Sequence, residues 1–379
     1  MVRYMNYSQN THSILEKYEV DLHNGFLPKE NPLDALPPGY EVWDNLNKQL
    51  SKAIKDKSFC QQVAELPILE VGKLSKPEMD RAMLLLAGFA HAYVKESEHN
   101  TIPAQISIPW VTIAERLNRL PIITHSNLSL QNWRLKDKNQ PISLDNLTTQ
   151  ISFTGTPTET WFFNATTNIE KIGASAIPLL LESIHLANNG KYEQAIKLLA
   201  KVLPICKDLL AALRKMYEGC DPTIFFNELR PFFDSFVNVR YAGTTPEIRS
   251  YAGGSAAQSS LLQFFDMALG IDYGNNPSRA FLVEMRNFMP YPHRTFLNFI
   301  EHEYNFKAVK KKNEALNNKC KEIVQFLIDF RNEHLKMVSQ YIVRPARKTQ
   351  SATTGTGGTS PLVFLKDVRN RNVAHKDKI

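Results

Sequence analysis

A long helical stripe near the C-terminal end constrains the fold most. It runs over about residues 308–343 and contains the stretch FLIDFRNEHLKMVSQYI at 326–342. At 3.6 residues per turn, Ile323, Leu327, Phe330, Val338 and Tyr341 fall within roughly 40° of His334 around the axis. A helix of this length hides such a stripe only against other elements, so the chain must build a helical body around it and His334 must point inward. A lone inward histidine is ordinarily a buried ring satisfied by a hydrogen bond; the sharper alternative is a metal or haem ligand.

The rest of the chain supplies that body. Helical periodicity is predicted over 159–187, 191–219, 222–230, 255–270, 277–288 and 292–303, and earlier over 45–66 and 77–97, where Ser75, Pro77 and Glu78 form a helix start. Between 99 and 157 the pattern changes to β-branched residues, prolines and turn residues. The reading is therefore mainly α: a small mixed α/β N-terminal domain over 1–145, a linker over 146–158 and a large all-helical domain over 159–379. In the tail, Pro345 ends the long helix, and a Gly/Thr-rich loop over 346–360, either a plain surface loop or a lid, leads to a short final helix.

Composition narrows the function classes. The chain has 379 residues, enough to enclose a cofactor, and its 43% hydrophobic content is that of an ordinary globular protein. The net charge of +7 is dispersed except at KAVKKKNEALNNKCK (307–321), which reads as a solvated helix face rather than a phosphate-binding stripe. No nucleic-acid partner is expected. Cys60, Cys206, Cys220 and Cys320 are widely spaced, which fits a reducing cytoplasm and indicates neither a zinc site nor a disulfide framework. The N-terminus lacks a signal pattern and no apolar segment reaches spanning length, so neither export nor membrane insertion is expected. Metal-protease, P-loop, dinucleotide and serine-hydrolase motifs are missing.

Three clusters stand out in the helical half. Arg331 flanks His334 three residues earlier, at about 60° around the axis, so an imidazole and a guanidinium lie side by side, as a haem iron and its propionates require. RSYAGGSAAQSSLLQFFD (249–266) places Gly254, Ser255 and Ala256 in a run of small residues before a helix, either a plain turn with a serine cap or a close backbone approach to an anionic ligand. DPTIFFNELRPFF (221–233) opens with Asp221 as cap and Pro222, then sets Phe225 and Phe226 beside Arg230. That group is either core aromatics with a cation at a helix end, or a stacking surface and carboxylate clamp for a flat amino acid.

Taken in order, FFNELR, AGGSAAQSS with FFD after it, MRNFMPYPHRTFL (285–297), RNEHL and GTGGT (355–359) closely resemble the indoleamine 2,3-dioxygenase family from about residue 120 to 370, with NW (132–133) and EKIGASAI (170–177) as weaker matches. The resemblance implies a haem b enzyme, ferrous when active and kept so by a reductant. Its reaction inserts both atoms of O₂ across the indole C2–C3 bond of L-tryptophan or a related indoleamine, giving N-formylkynurenine in tryptophan catabolism by the kynurenine pathway. It implies His334 as proximal iron ligand, Arg331 and Asp266 as supports of a propionate and the proximal side, and Gly254, Ser255 and Ala256 along the haem edge. Phe225, Phe226 and Arg230 would contact substrate, Thr356 would serve as lid residue, and no catalytic side chain would be needed beyond the haem iron.

The chain departs from the animal members at the distal wall. Tyr, Cys, Val and Ser are common there; the matching positions here are His125, Leu128, Ser129 and Thr166, with Phe162 kept. The expectation is a more polar pocket with extra donors, although His125 also reads as a partly exposed loop histidine. Two other functions stay open: a family-related haem protein that binds O₂ or oxidises a different indole, against which Phe226 and Arg230 argue, and a basic interaction protein without cofactor, favoured only by net charge.

Overall fold

The helices begin where side-chain chemistry can satisfy their first amides. Asn313 accepts from the Leu316 amide to open Glu314–Val338, Thr156 accepts from the Glu159 amide ahead of Pro157–Ala174, and Asp221 accepts from the amides of Thr223 and Ile224. The Ser75 amide donates to Glu78 Oε2 at 2.7 Å at the start of Lys76–Ser97. The structure is a computed structural model describing residues 7–97, 99–349, 355–356 and 360–378, and among these the chain is mainly α-helical.

Glu314–Val338 is the centre of the packing. It lies against Tyr192–Arg214 on one side and Pro361–Lys378 on the other, while Ala176–Asn188 packs on Tyr192–Arg214. Ile323, Leu327 and Phe330 are buried on its predicted stripe. Gly173 lets Pro157–Ala174 approach Ser260–Ala268 closely, since a Cβ there would stand 2.3 Å from Leu261 Cδ2. One continuous hydrophobic core runs from Ile14 to Val368, so residues on both sides of 146–158 share it.

Several details differ from the sequence reading. The helix expected over 45–66 is three short ones, Glu41–Lys48, Leu50–Lys55 and Phe59–Ala64. The first 145 residues are less β-rich than expected: Ala104–Arg116 is helical despite Pro109, and the strands there have two residues each. Conversely, the later part is not all helical. Phe236–Tyr241 and Ile248–Tyr251 form an antiparallel hairpin, and Thr101–Ile102 adds to it in parallel, with Thr101 opposite Arg240. The alternation in FVNVRY is short and interrupted by a bulge between Phe236 and Val239, with Asn238 at φ +52°, which hides its period of two.

Pro345 does not end the helical path. A π-turn at Ser339–Val343 widens the ladder just before it, easing the clash with the Tyr341 carbonyl, and Arg344–Thr349 continues as helix. Residues 346–349 of the expected loop are thus helical, and 350–354 and 357–359 lie outside the described residues. The final helix is long, 18 residues from Pro361 to Lys378. In the basic run Lys310 is buried rather than solvated: its ammonium donates to the Leu269 carbonyl at 2.6 Å and meets His375 Nε2 at 2.7 Å, and burial pulls its pKa down to about 8. Among the described residues no helix is long and apolar enough to cross a membrane.

Two buried histidines make stability pH-dependent. His91 accepts from the Ile123 amide through Nε2 at 3.3 Å and stacks on Phe236, and His293 packs against Phe26. Burial holds both at about 3 against an ordinary 6.5, with the charges of Arg119 and Lys76 adding to the effect on His293. Both rings are neutral in the fold at neutral pH. Below 6.5 the unfolded chain takes up protons that the fold refuses, so stability falls as pH drops from 6.5 towards about 3. Each ring contributes about 1.4 kcal/mol per pH unit in that window. Urea midpoints of the haem-free protein should therefore fall steeply between pH 6 and 4 (about the middle of that window); a flat profile would contradict the assignment.

Candidate active site

The inward face of Glu314–Val338 borders a cavity of about 300 Å³ with predominantly apolar walls. His334 and Arg331 line it from one side. The His334 ring is half-buried and has no hydrogen-bond partner among the described residues. Burial, with Arg331 adding to it, lowers its pKa to about 4, so at neutral pH the ring is a neutral imidazole with a lone pair free. The ordinary role for an inward histidine, a ring satisfied by the protein, is not what the structure shows.

Arg331 is held rigidly beside it. Its guanidinium meets Asp266 Oδ2 at 2.5 Å and also donates to Asn372 Oδ1, while the Tyr273 hydroxyl donates to Asp266 Oδ2 at 2.6 Å. All four side chains are buried. A buried cation needs such partners, because leaving it unpaired costs several kcal/mol. Asn372 comes from the final helix and Tyr273 from the loop after Ser260–Ala268; no sequence spacing links either to Arg331, and neither was expected at the site.

A second wall carries Phe225 and Arg230. They flank a π-turn, Phe225–Leu229, that runs into a tight turn at Arg230–Phe233, so the segment is not the regular helix its pattern suggested. The Arg230 guanidinium lies 5.6 Å from the centroid of Phe226. Phe226 itself stands behind this cation and does not line the cavity, a correction to its expected substrate contact. Burial lowers the Arg230 pKa, opposed by Asp234, and the side chain stays a cation.

The third wall is the face of Pro157–Ala174 with His125. Phe162 and Thr166 line the cavity as expected, one turn apart. Glu170, one further turn along, also lines it and was missed, although the spacing 162, 166, 170 marks it in the sequence. Leu128 and Ser129 lie a layer back: Leu128 Cδ1 is 3.0 Å from where a Cβ on Gly254 would stand, and the Ser129 hydroxyl donates to Thr166 Oγ1 at 3.0 Å. The Thr166 hydroxyl in turn donates to the Phe163 carbonyl at 2.8 Å, so its proton is spent inside the helix. The expected extra donors largely satisfy one another.

Gly254, Ser255 and Ala256 close the cavity along one edge. The run is a single 3-10 turn with a serine cap: Ser255 Oγ accepts from the Ala257 amide, and the Ser255 amide donates to Gln258 Oε1 at 3.3 Å. Those two amides are therefore engaged locally rather than held ready for an anion. Thr356 is stitched to the same loop, its carbonyl accepting from the Gly253 amide at 2.9 Å and its hydroxyl donating to the Gly254 carbonyl at 2.5 Å. A Cβ on Gly253 would stand 1.9 Å from the Phe233 carbonyl oxygen, so only glycine allows the loop to lie against the Arg230 segment.

The donor set suits a metal that brings its own ligands. Among the described residues no group of three or more His, Cys, Asp or Glu side chains could hold an ion, whereas one unpartnered neutral imidazole faces an apolar cavity with a buried arginine beside it. That combination fits haem: one axial nitrogen from the chain, apolar walls for the macrocycle and a cation at its edge.

The comparisons with known proteins agree with this chemistry. The indoleamine 2,3-dioxygenase family model matches residues 14–375. The chain is 31% identical over 395 residues to indoleamine 2,3-dioxygenase acdA of Aspergillus candidus, covering 95% of this chain and 97% of that one. It is 31% identical over 391 residues to 6-hydroxytryptophan 2,3-dioxygenase fscD of Fusarium equiseti (94% and 96%), and 30% identical over 395 residues to indoleamine 2,3-dioxygenase 1 of Rattus norvegicus (96% of each). With almost its whole length matched, the chain belongs to the indoleamine 2,3-dioxygenase family and is a haem dioxygenase.

Proposed function

We propose that the chain binds haem b through His334 and inserts both atoms of O₂ across the indole C2–C3 bond of L-tryptophan or a close relative, yielding N-formylkynurenine. The observation that carries this reading is one cavity with a neutral, unpartnered His334 on one wall and an aromatic–guanidinium pair, Phe225 and Arg230, on another. Bound haem, in its ferrous state, supplies the chemistry that lets O₂ react, and both oxygen atoms end in the product, so a reductant is needed only to restore the ferrous form.

The chain's own work is binding and orientation. His334 holds the cofactor, and the Asp266–Arg331–Asn372 network fixes the side of the helix that presents it. Phe162 and Phe225, whose ring centroids are 4.9 Å apart, form an aromatic surface for the indole. Arg230 takes the substrate carboxylate, and Thr356, tied to the Gly253–Gly254 loop, closes over the amino-acid end and keeps water out. No side-chain base is required. A panel of tryptophan and ring-hydroxylated tryptophans, assayed with ferrous protein and O₂, tests the reading: formation of the corresponding N-formylkynurenine supports it, and a haem-loaded protein that converts none of them overturns it.

A further inference from the structure

The distal wall holds one pair the family chemistry leaves unexplained, and the inference from it rests on the functional reading above. His125 Nε2 lies 2.9 Å from Glu170 Oε1, and the same oxygen accepts from the Ser259 hydroxyl at 2.7 Å. Glu170 is buried, with 3% of its side chain exposed, and its second carboxylate oxygen has no partner among the described residues. His125, Glu170 and Ser259 all line the cavity. His125 Nδ1 makes no hydrogen bond with any described residue.

We propose that Glu170 is a positioning residue that keeps the His125 proton on Nε2, so that Nδ1 presents a lone pair to the indole N1–H of the bound substrate. The chemistry is one of tautomer choice. A carboxylate oxygen can only accept, so the neutral imidazole facing it must carry its proton on Nε2, and the remaining nitrogen becomes an acceptor. The neighbouring polar groups do not offer this service: the Thr166 oxygen already accepts from Ser129, and its proton goes to the Phe163 carbonyl. An indole entering an apolar cavity gives up the water on its N1–H, and a wall that supplies an acceptor distinguishes it from an analogue without that proton. Glu170 never touches substrate in this scheme; it acts through His125.

The test compares L-tryptophan with N1-methyl-L-tryptophan, binding each to the haem-loaded protein by calorimetry, in wild type, His125→Phe and Glu170→Ala. Haem content is read from the absorption spectrum, and the His125 tautomer from ¹⁵N shifts of the diamagnetic ferrous carbonyl form. Phenylalanine keeps the bulk that opposes the methyl group, so only the hydrogen bond is removed. Wild type should prefer tryptophan by about tenfold or more. Both variants should keep haem and lose most of that preference, and Glu170→Ala should change His125 from a single Nε2–H form to a mixture. An undiminished preference in His125→Phe, or a mixed tautomer already in wild type, overturns the proposal. Should Glu170→Ala fail to fold, His125→Phe and the wild-type tautomer still decide. Wild type that carries haem but binds neither indole overturns the functional reading itself.

Discussion

His334→Ala should purify as a folded protein without stable haem. The imidazole is the one nitrogen ligand the cavity offers from this helix, and its ring has no hydrogen-bond partner among the described residues, so removing it orphans no polar group of the fold. The loss in unfolding free energy should stay within about 2 kcal/mol, the scale of a truncation at a cavity edge. Cofactor affinity should fall by at least about a hundredfold, the scale seen when metal sites lose even an orienting partner. Titration of the haem-free variant with haemin, followed in the Soret band, measures this, and added imidazole should restore part of the spectrum. Wild-type affinity in the variant would remove His334 from the iron.

Arg230→Ala should do the opposite, keeping haem and losing the substrate. A desolvated guanidinium that pairs with a carboxylate contributes about 2–4 kcal/mol to holding it, so tryptophan affinity or kcat/KM should drop by about 30- to 1000-fold. Arg230→Lys should recover only part, because an ammonium cannot form the two-pronged contact. The control is tryptamine, which has no carboxylate: wild type and variant should bind it equally. A matching loss for tryptamine would mean that Arg230 supports the pocket's shape through Phe226, whose ring it covers, rather than the substrate.

The two variants divide the site along a line the sequence made partly legible. His334 was readable because helical spacing is strict: a histidine in register with Ile323, Leu327 and Phe330 must face inward, and the structure buries those three. Asp221 as a cap and Ser255 as a turn-forming serine were readable for the same local reason. Glu170 obeyed the same spacing and was overlooked beside Thr166. The π-turns were not readable, since an extra residue in a helical turn leaves the apolar pattern almost unchanged; yet Phe225 begins one, His125 directly precedes another at Ser126–Gln131, and Tyr341 belongs to the third. Phe226 shows the consequence: regular spacing put it in the cavity, and the wider turn moves it behind Arg230. Contacts of high sequence separation, such as Asn372 with Arg331 or Lys310 with Leu269, had no local signal at all.

The polar distal wall changes meaning once its hydrogen bonds are traced. From residue types it suggested donors for bound oxygen. Ser129 and Thr166 instead spend their protons on each other and on the backbone, and Glu170 holds His125. Choice of indole then rests on shape, on Arg230 and on His125.

One measurement reaches the central claim directly. Ferrous, haem-loaded protein is given L-tryptophan under ¹⁸O₂ in ordinary water, quenched quickly and analysed by mass spectrometry. The account predicts N-formylkynurenine carrying both ¹⁸O atoms, one in the formyl group and one in the ring-side ketone before exchange. Product with a single label, or unreacted tryptophan beside fully haem-loaded protein, would contradict it.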